Sequence, residues 1–384
     1  MGGEFKKALA CAAAFIGAVV GAGMASGAEI LIYFTSMGKF ALAAIILAVI
    51  LICLIYSLIA SYAAKRSEGD IKNLCLYLFP RAGGVLYGGI VMGAVVSAGA
   101  MLAGASALSE EFLSVSGWAG AMITCILGVV VVVKGVDGIA GVCKIIVPVI
   151  IIFAVLLGVF TPNALWDESF NASLPEALAS GGIYALYNVG MSLGLCASLG
   201  AGSKKKERSL SCAVIALCLT AVIVLFHTSI AACGHLGELP VLNAVRKLGS
   251  VMAWLYALAL WGAIFSTLIT ALYNFMPVAK QKGKGVIYIA AALSYGMSFL
   301  SLSGLVRFVY PISGLAAAII AGGIIKERMK NNGVFRFGRV RSGGNSGAGI
   351  KESGHNGVST GEQGVLFGRG KPSGAGLHRH EKRG

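Results

Sequence analysis

The chain has 384 residues, of which 57% are hydrophobic and only 12% charged, with a mean hydropathy of +0.84. That balance excludes an ordinary soluble domain and describes a polytopic membrane protein. The net charge of +15 gathers in loops and in the C-terminal segment, as the positive-inside rule produces, and does not call for nucleic acid as a partner.

The first apolar run covers about residues 8–34, long enough to cross a bilayer. It is too long for a signal-peptide core, so it is expected to be retained. Its middle, residues 15–29, reads FIGAVVGAGMASGAE. Gly17, Gly21, Gly23 and Gly27 crowd this interval, and Ser26 and Glu29 follow. Each interior glycine costs a helix roughly 1 kcal/mol relative to alanine. Two readings compete. Glycines four apart, as in Gly17 with Gly21 and Gly23 with Gly27, serve close helix packing. Alternatively the helix unwinds at mid-membrane, where freed backbone must face protein or a wet cavity, and this points to a binding site.

Further runs follow at about residues 40–63, 83–108, 116–134, 139–160, 179–201, 209–233, 249–275, 284–303 and 305–325, giving ten predicted spans. Lys6, Lys7, Lys65, Arg66, Lys72, Arg81, Lys134, Lys204, Lys205, Lys206, Arg208, Lys280, Lys282, Lys284, Lys326, Arg328 and Lys330 all fall on one side if ten spans alternate. The other side holds Lys39, Arg246, Lys247 and the acidic Asp167, Glu168 and Glu176. This asymmetry predicts cytoplasmic N- and C-termini. Two connections predict short interfacial helices: IKNLCLYLF between spans two and three, and LPVLNAVRKLG between spans seven and eight, on opposite faces. The same feature five spans later is what an inverted five-plus-five repeat gives, with repeat one over 8–160 and repeat two over 179–325.

The repeat predicts a second broken helix at span six, GGIYALYNVGMSLGLCASLG, with the break at Tyr187-Asn188-Val189-Gly190. An amide inside a membrane run marks a functional residue or an interhelical hydrogen bond. The fold class expected is therefore an all-α membrane protein of ten helices, with helices one and six broken, over residues 1–328. Residues 331–384 are Gly-, Ser- and Arg-rich without helical period and predict a disordered cytoplasmic tail. The cysteines lie mostly in apolar runs without CxxC spacing and read as small membrane hydrophobes.

These features together resemble a known group. Ten spans, breaks in the first and sixth, and GAVVGAGMASG in the first resemble the LeuT fold of the amino acid–polyamine–cation superfamily. The GxGxASGxE pattern of residues 21–29 is most similar to the YkvI-like bacterial membrane proteins. The resemblance implies a cation site between spans one and eight, with carbonyls of Gly17 and Val20, the carbonyl of Ala263 and the hydroxyls of Ser266 and Thr267. Neutral oxygens of this kind suit a monovalent ion, and residues three and four apart share a helix face. Ser266 and Thr267 bonding back to their own helix is the competing reading. Some proton-coupled relatives are resembled at Lys144, whose ammonium would then replace sodium; snorkelling to the interface competes with this. The fold closes its outer vestibule with an ion pair, and Glu29 with Arg307 is the candidate gate pair here, with the signs swapped.

A solute would sit between the two breaks. The N–H groups of the outer half of span one, near Ala25, Ser26 and Gly27, suit a carboxylate, with Gly21 and Gly23 beside them. Tyr184, Tyr187, Asn188 and Ser97 would line the rest, while Met101 and Phe265 read as packing. The function expected is secondary active transport of a small, amino acid-like solute in a bacterial cytoplasmic membrane, coupled to Na+ or H+, with no other cofactor. A ligand-sensing receptor on the same scaffold is the alternative. An enzyme is disfavoured, because no carboxylate or cysteine is spaced to pair with His227 or His235. Partners are the solute and the bilayer, and the oligomeric state stays open.

Overall fold

The computed structural model describes residues 2–160, 164–233, 240–246, 248–299 and 302–331; helices joined by turns and loops make up these residues, with no strand among them. The predicted tail at 331–384, apart from Asn331, and His235 lie outside the described residues.

The first apolar run folds as three pieces, α1 (Gly2–Val19), α2 (Ala22–Ser26) and α3 (Ala28–Tyr33). Gly21 is extended (φ −88°, ψ −168°), and Gly27 is left-handed (φ 87°), a conformation that only glycine enters cheaply. A 3₁₀ segment, Thr35–Phe40, leads into α4 (Ala41–Arg66). The predicted interfacial helices form as α5 (Ile71–Leu78) and, later, α12 (Pro240–Arg246). Between them run α6 (Gly83–Leu113), α7 (Gly117–Val132), α8 (Val136–Phe160), α9 (Leu174–Met191), α10 (Leu193–Ala201) and α11 (Lys205–Cys233). α13 (Ser250–Tyr273), α14 (Met276–Lys282), α15 (Gly285–Met297) and α16 (Leu302–Asn331) complete the chain.

α9 starts with a capping box, Ser173 with Glu176, and a proline in its first turn, which is why the helix begins there and not at residue 179. The expected break at residues 187–190 is displaced. α9 continues through Met191, and the axis turns by 65° at Ser192 before α10. Gly190 serves close packing instead, since a Cβ there would collide with the Ser313 backbone.

Length and apolarity single out five helices able to cross a membrane among the described residues, and a sixth if α9 and α10 form one bent span. Ten spans were predicted; the remaining runs are shorter or divided helices, such as α7, α15 and the α1–α3 series. α1 packs against α8, α11 and α13, while α9 lies against α4, α6 and α16. Ile145, Val159, Leu217 and Val251 project outward from α8, α11 and α13. An exterior of this kind suits lipid, and the protein is a multi-pass membrane protein.

Candidate functional site

The last turn of α1 leaves carbonyls that no continuing helix can use. Ser266 and Thr267, on one face of α13, meet two of them. Ser266 Oγ lies 2.5 Å from Gly17 O and 2.9 Å from Ala263 O, and Thr267 Oγ1 donates to Ala18 O at 3.4 Å. Val20 was expected as a carbonyl ligand, but Thr267 reaches Ala18, because α1 keeps its helical turn through Val19. Thr270 bonds back within α13, to Ser266 O at 2.9 Å. Ala263, Ser266 and Thr267 are buried. Gly21 is required beside them, as a Cβ there would stand 2.5 Å from Thr267 Oγ1. Gly17 fulfils the packing reading: its missing side chain leaves room for Cys143 Sγ of α8, 2.5 Å from where a Cβ would be.

The Ser266 hydroxyl has one proton for two nearby carbonyls, so one oxygen–oxygen approach is always uncompensated. A monovalent cation would take lone pairs from all three oxygens at once. The neutral oxygen set therefore fits such an ion. Lys144 does not point into this set. It is exposed, and its neighbour Cys143 is the buried residue that faces α1.

Several of the residues predicted to face a solute gather where α2, α3 and α9 come together. Glu29 is only 7% exposed and accepts from Tyr187 Oη at 2.7 Å. Its carboxylate folds back over Gly23, where a Cβ would collide with it. This places Glu29 against a predicted solute residue. Arg307 is in α16, and its side chain lies outside the described residues. Tyr33 packs against Tyr184 and Tyr187 with ring centroids 5.7 and 5.4 Å apart, and Phe34 against Tyr184 at 4.7 Å. Tyr184 Oη and Ser97 Oγ are buried without a hydrogen-bond partner. An orphaned buried hydroxyl costs about 1–3 kcal/mol, a cost that a bound polar group would remove.

Three expectations need correction. Ala25 N and Gly27 N are not open to a carboxylate, since they donate to Gly21 O (2.9 Å) and Met24 O (3.0 Å). The reason is that the helix restarts at Ala22, so any unused N–H groups belong to that first turn. Ser26 Oγ is engaged locally, donating to Gly23 O and accepting from Ala28 N. Asn188 is buried, but its Nδ2 donates to Tyr184 O of its own helix at 2.9 Å, and its backbone carbonyl accepts from Ser192 Oγ at 3.0 Å. Of the nine predicted solute residues, Gly21, Ala25, Ser26, Gly27, Ser97, Tyr184, Tyr187 and Asn188 are buried and Gly23 is partly so; the region is enclosed.

Sequence reasoning missed two fasteners. Tyr256 Oη of α13 donates to Ala25 O and holds α2. Asn274, just past α13, accepts from Gly194 N at 3.0 Å and donates to Met191 O at 3.1 Å, so one amide joins both sides of the α9–α10 bend. The signal for Asn274 was an amide at the end of an apolar run. His227 is structural: Nδ1 meets Thr35 Oγ1 and Nε2 meets Leu165 O, each at 3.0 Å. Phe265 stacks on Trp261 at 5.3 Å and Met101 is buried.

An interrupted first helix met by hydroxyls of a later one, with a second bend opposite, sits on the LeuT fold, and solved structures show that fold. The chain is similar to MhsT in complex with L-phenylalanine, with a TM-score of 0.63 at 15% identity over 81% of this chain and 87% of that one. It is also similar to Mhp1, a nucleobase-cation-symport-1 family transporter in a closed conformation with bromovinylhydantoin bound, with a TM-score of 0.55 at 14% identity over 84% and 78%. In sequence it is similar to the uncharacterized membrane protein YkvI of Bacillus subtilis (strain 168), 25% identical over 334 residues, covering 82% of this chain and 94% of that one. No protein-family model matches the chain.

Proposed function

We propose that the protein is a secondary active transporter of a small, amino acid-like solute, working by alternating access in a bacterial cytoplasmic membrane with both termini cytoplasmic. The observation that carries this reading is the contact of Ser266 and Thr267 with the carbonyls at the end of α1, where a neutral oxygen set is gathered at a helix interruption. We read the α1–α3 series and the bent α9–α10 pair as broken spans one and six of a ten-span, five-plus-five inverted repeat.

Sodium is favoured as the coupling ion over a proton carried on Lys144. The oxygens converge at the interruption, whereas the lysine is exposed on the outside of α8. The solute lies between α2 and α9, with the unpartnered hydroxyls of Tyr184 and Ser97 as its hydrogen-bonding groups and the rings of Tyr33, Phe34 and Tyr187 around its apolar part. The L-phenylalanine held by MhsT supports the amino acid class. Glu29 and Arg307 close the outer side as a gate pair. Single charge reversals should abolish uptake, and the double reversal should restore part of it.

The decisive experiment is uptake of labelled amino acids into proteoliposomes with an imposed sodium gradient, then a proton gradient alone. Accumulation driven by sodium and lost in Ser266→Ala supports the reading. Binding without accumulation under either gradient would replace it with that of a ligand-sensing receptor.

A further inference from the structure

Between α4 and α11, away from both interruptions, a cavity of about 460 Å³ opens near the end of the bundle that carries the N-terminus of α11. Cys53, Ser57 and Ser61 of α4 line one wall, and Lys205, Arg208 and Cys212 of α11 the other. On α4 these residues are four apart, and on α11 three and four apart, so each set forms one stripe facing the seam. Ala213 and Ala216 continue the floor. Short side chains from α4 leave the gap, and Lys205 and Arg208 are the charged residues in its lining.

The charge in the cavity has one sign. The acid of the same helical turn, Glu207, points away: it is 4% exposed, 3.5 Å from Lys7 Nζ, and accepts from Lys204 N at 2.9 Å. Glu4 takes Lys204 and Lys206, at 3.2 and 4.0 Å. Neither Lys205 nor Arg208 is paired with a carboxylate among the described residues. Arg208 donates through Nη1 to Ser203 O at 2.6 Å, and a guanidinium has further donors to offer. Further along α4 and α11, Leu54 and Leu217 are 60% and 73% exposed on the outer surface.

A cationic, hydroxyl-lined cavity at the membrane surface, flanked by apolar side chains deeper in, matches an amphiphile with an anionic head. We propose that this cavity binds the phosphate-bearing head group of a membrane lipid. Lys205 and Arg208 take the phosphate oxygens, Ser57 and Ser61 the neighbouring head-group oxygens, and the acyl chains lie along Leu54 and Leu217.

Two thiols report on occupancy directly. Cys53 Sγ lies 3.7 Å from Cys212 O, and Cys212 Sγ lies 3.6 Å from Cys53 O, both at the cavity wall. The full chain, delipidated in a neutral detergent, would be labelled with a maleimide and read peptide by peptide by mass spectrometry. Phosphatidylglycerol, phosphatidylcholine or inorganic phosphate would be added in separate arms. Phosphatidylglycerol should slow labelling of Cys53 and Cys212, and phosphatidylcholine should not. Lys205→Gln with Arg208→Gln should lower the apparent lipid affinity by about tenfold or more, while Lys205→Arg should preserve it. Thermal melting of each variant confirms that it is folded.

Inorganic phosphate protecting as well as lipid would overturn the lipid assignment and leave a soluble phosphate site. Equal protection by phosphatidylcholine, protection surviving removal of both charges, or no protection at all would overturn the proposal outright.

Discussion

The two interruptions, at Val20–Gly21 and at Ser192, are fastened by the same helix in different ways. At the first, hydroxyls of Ser266 and Thr267 meet the carbonyls of Gly17 and Ala18, and Ser266 Oγ also lies 2.9 Å from Ala263 O. At the second, the Asn274 amide supplies one acceptor to Gly194 N and donors to Met191 O, with Ala271 O also in reach at 3.3 Å. A joint built from hydroxyls and carbonyls offers neutral oxygens to a cation. A joint with matched donors and acceptors is a fixed bend. If the first joint holds the cation proposed above, its stability should depend on that ion, and the stability of the second should not.

The largest effect should come from Asn274→Ala. It strands Gly194 N and Met191 O in a buried bend and should cost about 2–4 kcal/mol, read as a lower thermal midpoint whether or not sodium is present. A midpoint matching that of the parent protein would dissolve the contrast. Next is Gly21→Ala, whose Cβ meets Thr267 Oγ1. It should cost about 1–3 kcal/mol, and Thr267→Ser should not relieve it, because the hydroxyl itself is the obstacle; Thr267→Ala should relieve part of it, as a double-mutant cycle in thermal melting would show.

Ser266→Ala should change stability in choline buffer by only about 1 kcal/mol, yet remove the stabilisation that sodium confers on the parent protein. Retention of a full sodium-dependent shift would move the ion site elsewhere. Tyr184→Phe sharpens the solute side. It removes an orphaned hydroxyl, so melting should be unchanged or raised by up to about 1 kcal/mol, while solute affinity measured by calorimetry should fall.

The smallest effect lies far from both joints. Burial pushes the Glu327 carboxyl up, but hydrogen bonds from Tyr62 and Arg66 outweigh it and hold the group below its ordinary value. A carboxyl lowered in the folded state adds stability above its unfolded pKa and loses it as pH falls through the folded one. The melting difference between the parent protein and Glu327→Gln should therefore be present at neutral pH and vanish on acidification. It should be small, since the pair is partly exposed.

Glycine crowding exposed the first interruption in the sequence, because four permissive residues in one apolar interval are expensive unless used. Ser266 and Thr267 were singled out only through the resemblance, and no local period reports their contacts with Gly17 O and Ala18 O. The second bend was misplaced by a few residues. Asn188 and Gly190 look like helix breakers, but the first donates to Tyr184 O on the preceding turn and the second makes room for Ser313. Asn274 escaped notice because its partners lie about eighty residues away, and no local period reports such a contact. The two readings of Lys144 stayed open for a related reason: one position along a helix turns a side chain by about 100°, and the sequence does not say which of Cys143 and Lys144 looks inward.

Because α13 carries Ser266 and Thr267 in its body and Asn274 directly past its end, it acts as a spacer of set length between the two joints. The seven steps from Thr267 to Asn274 amount to about 10 Å of helical rise. Side chains along that rod can be exchanged while the span is kept. Adding or deleting one residue there would swing Asn274 out of register with Met191 and Gly194, so this stretch of the chain should accept new letters but not a new count.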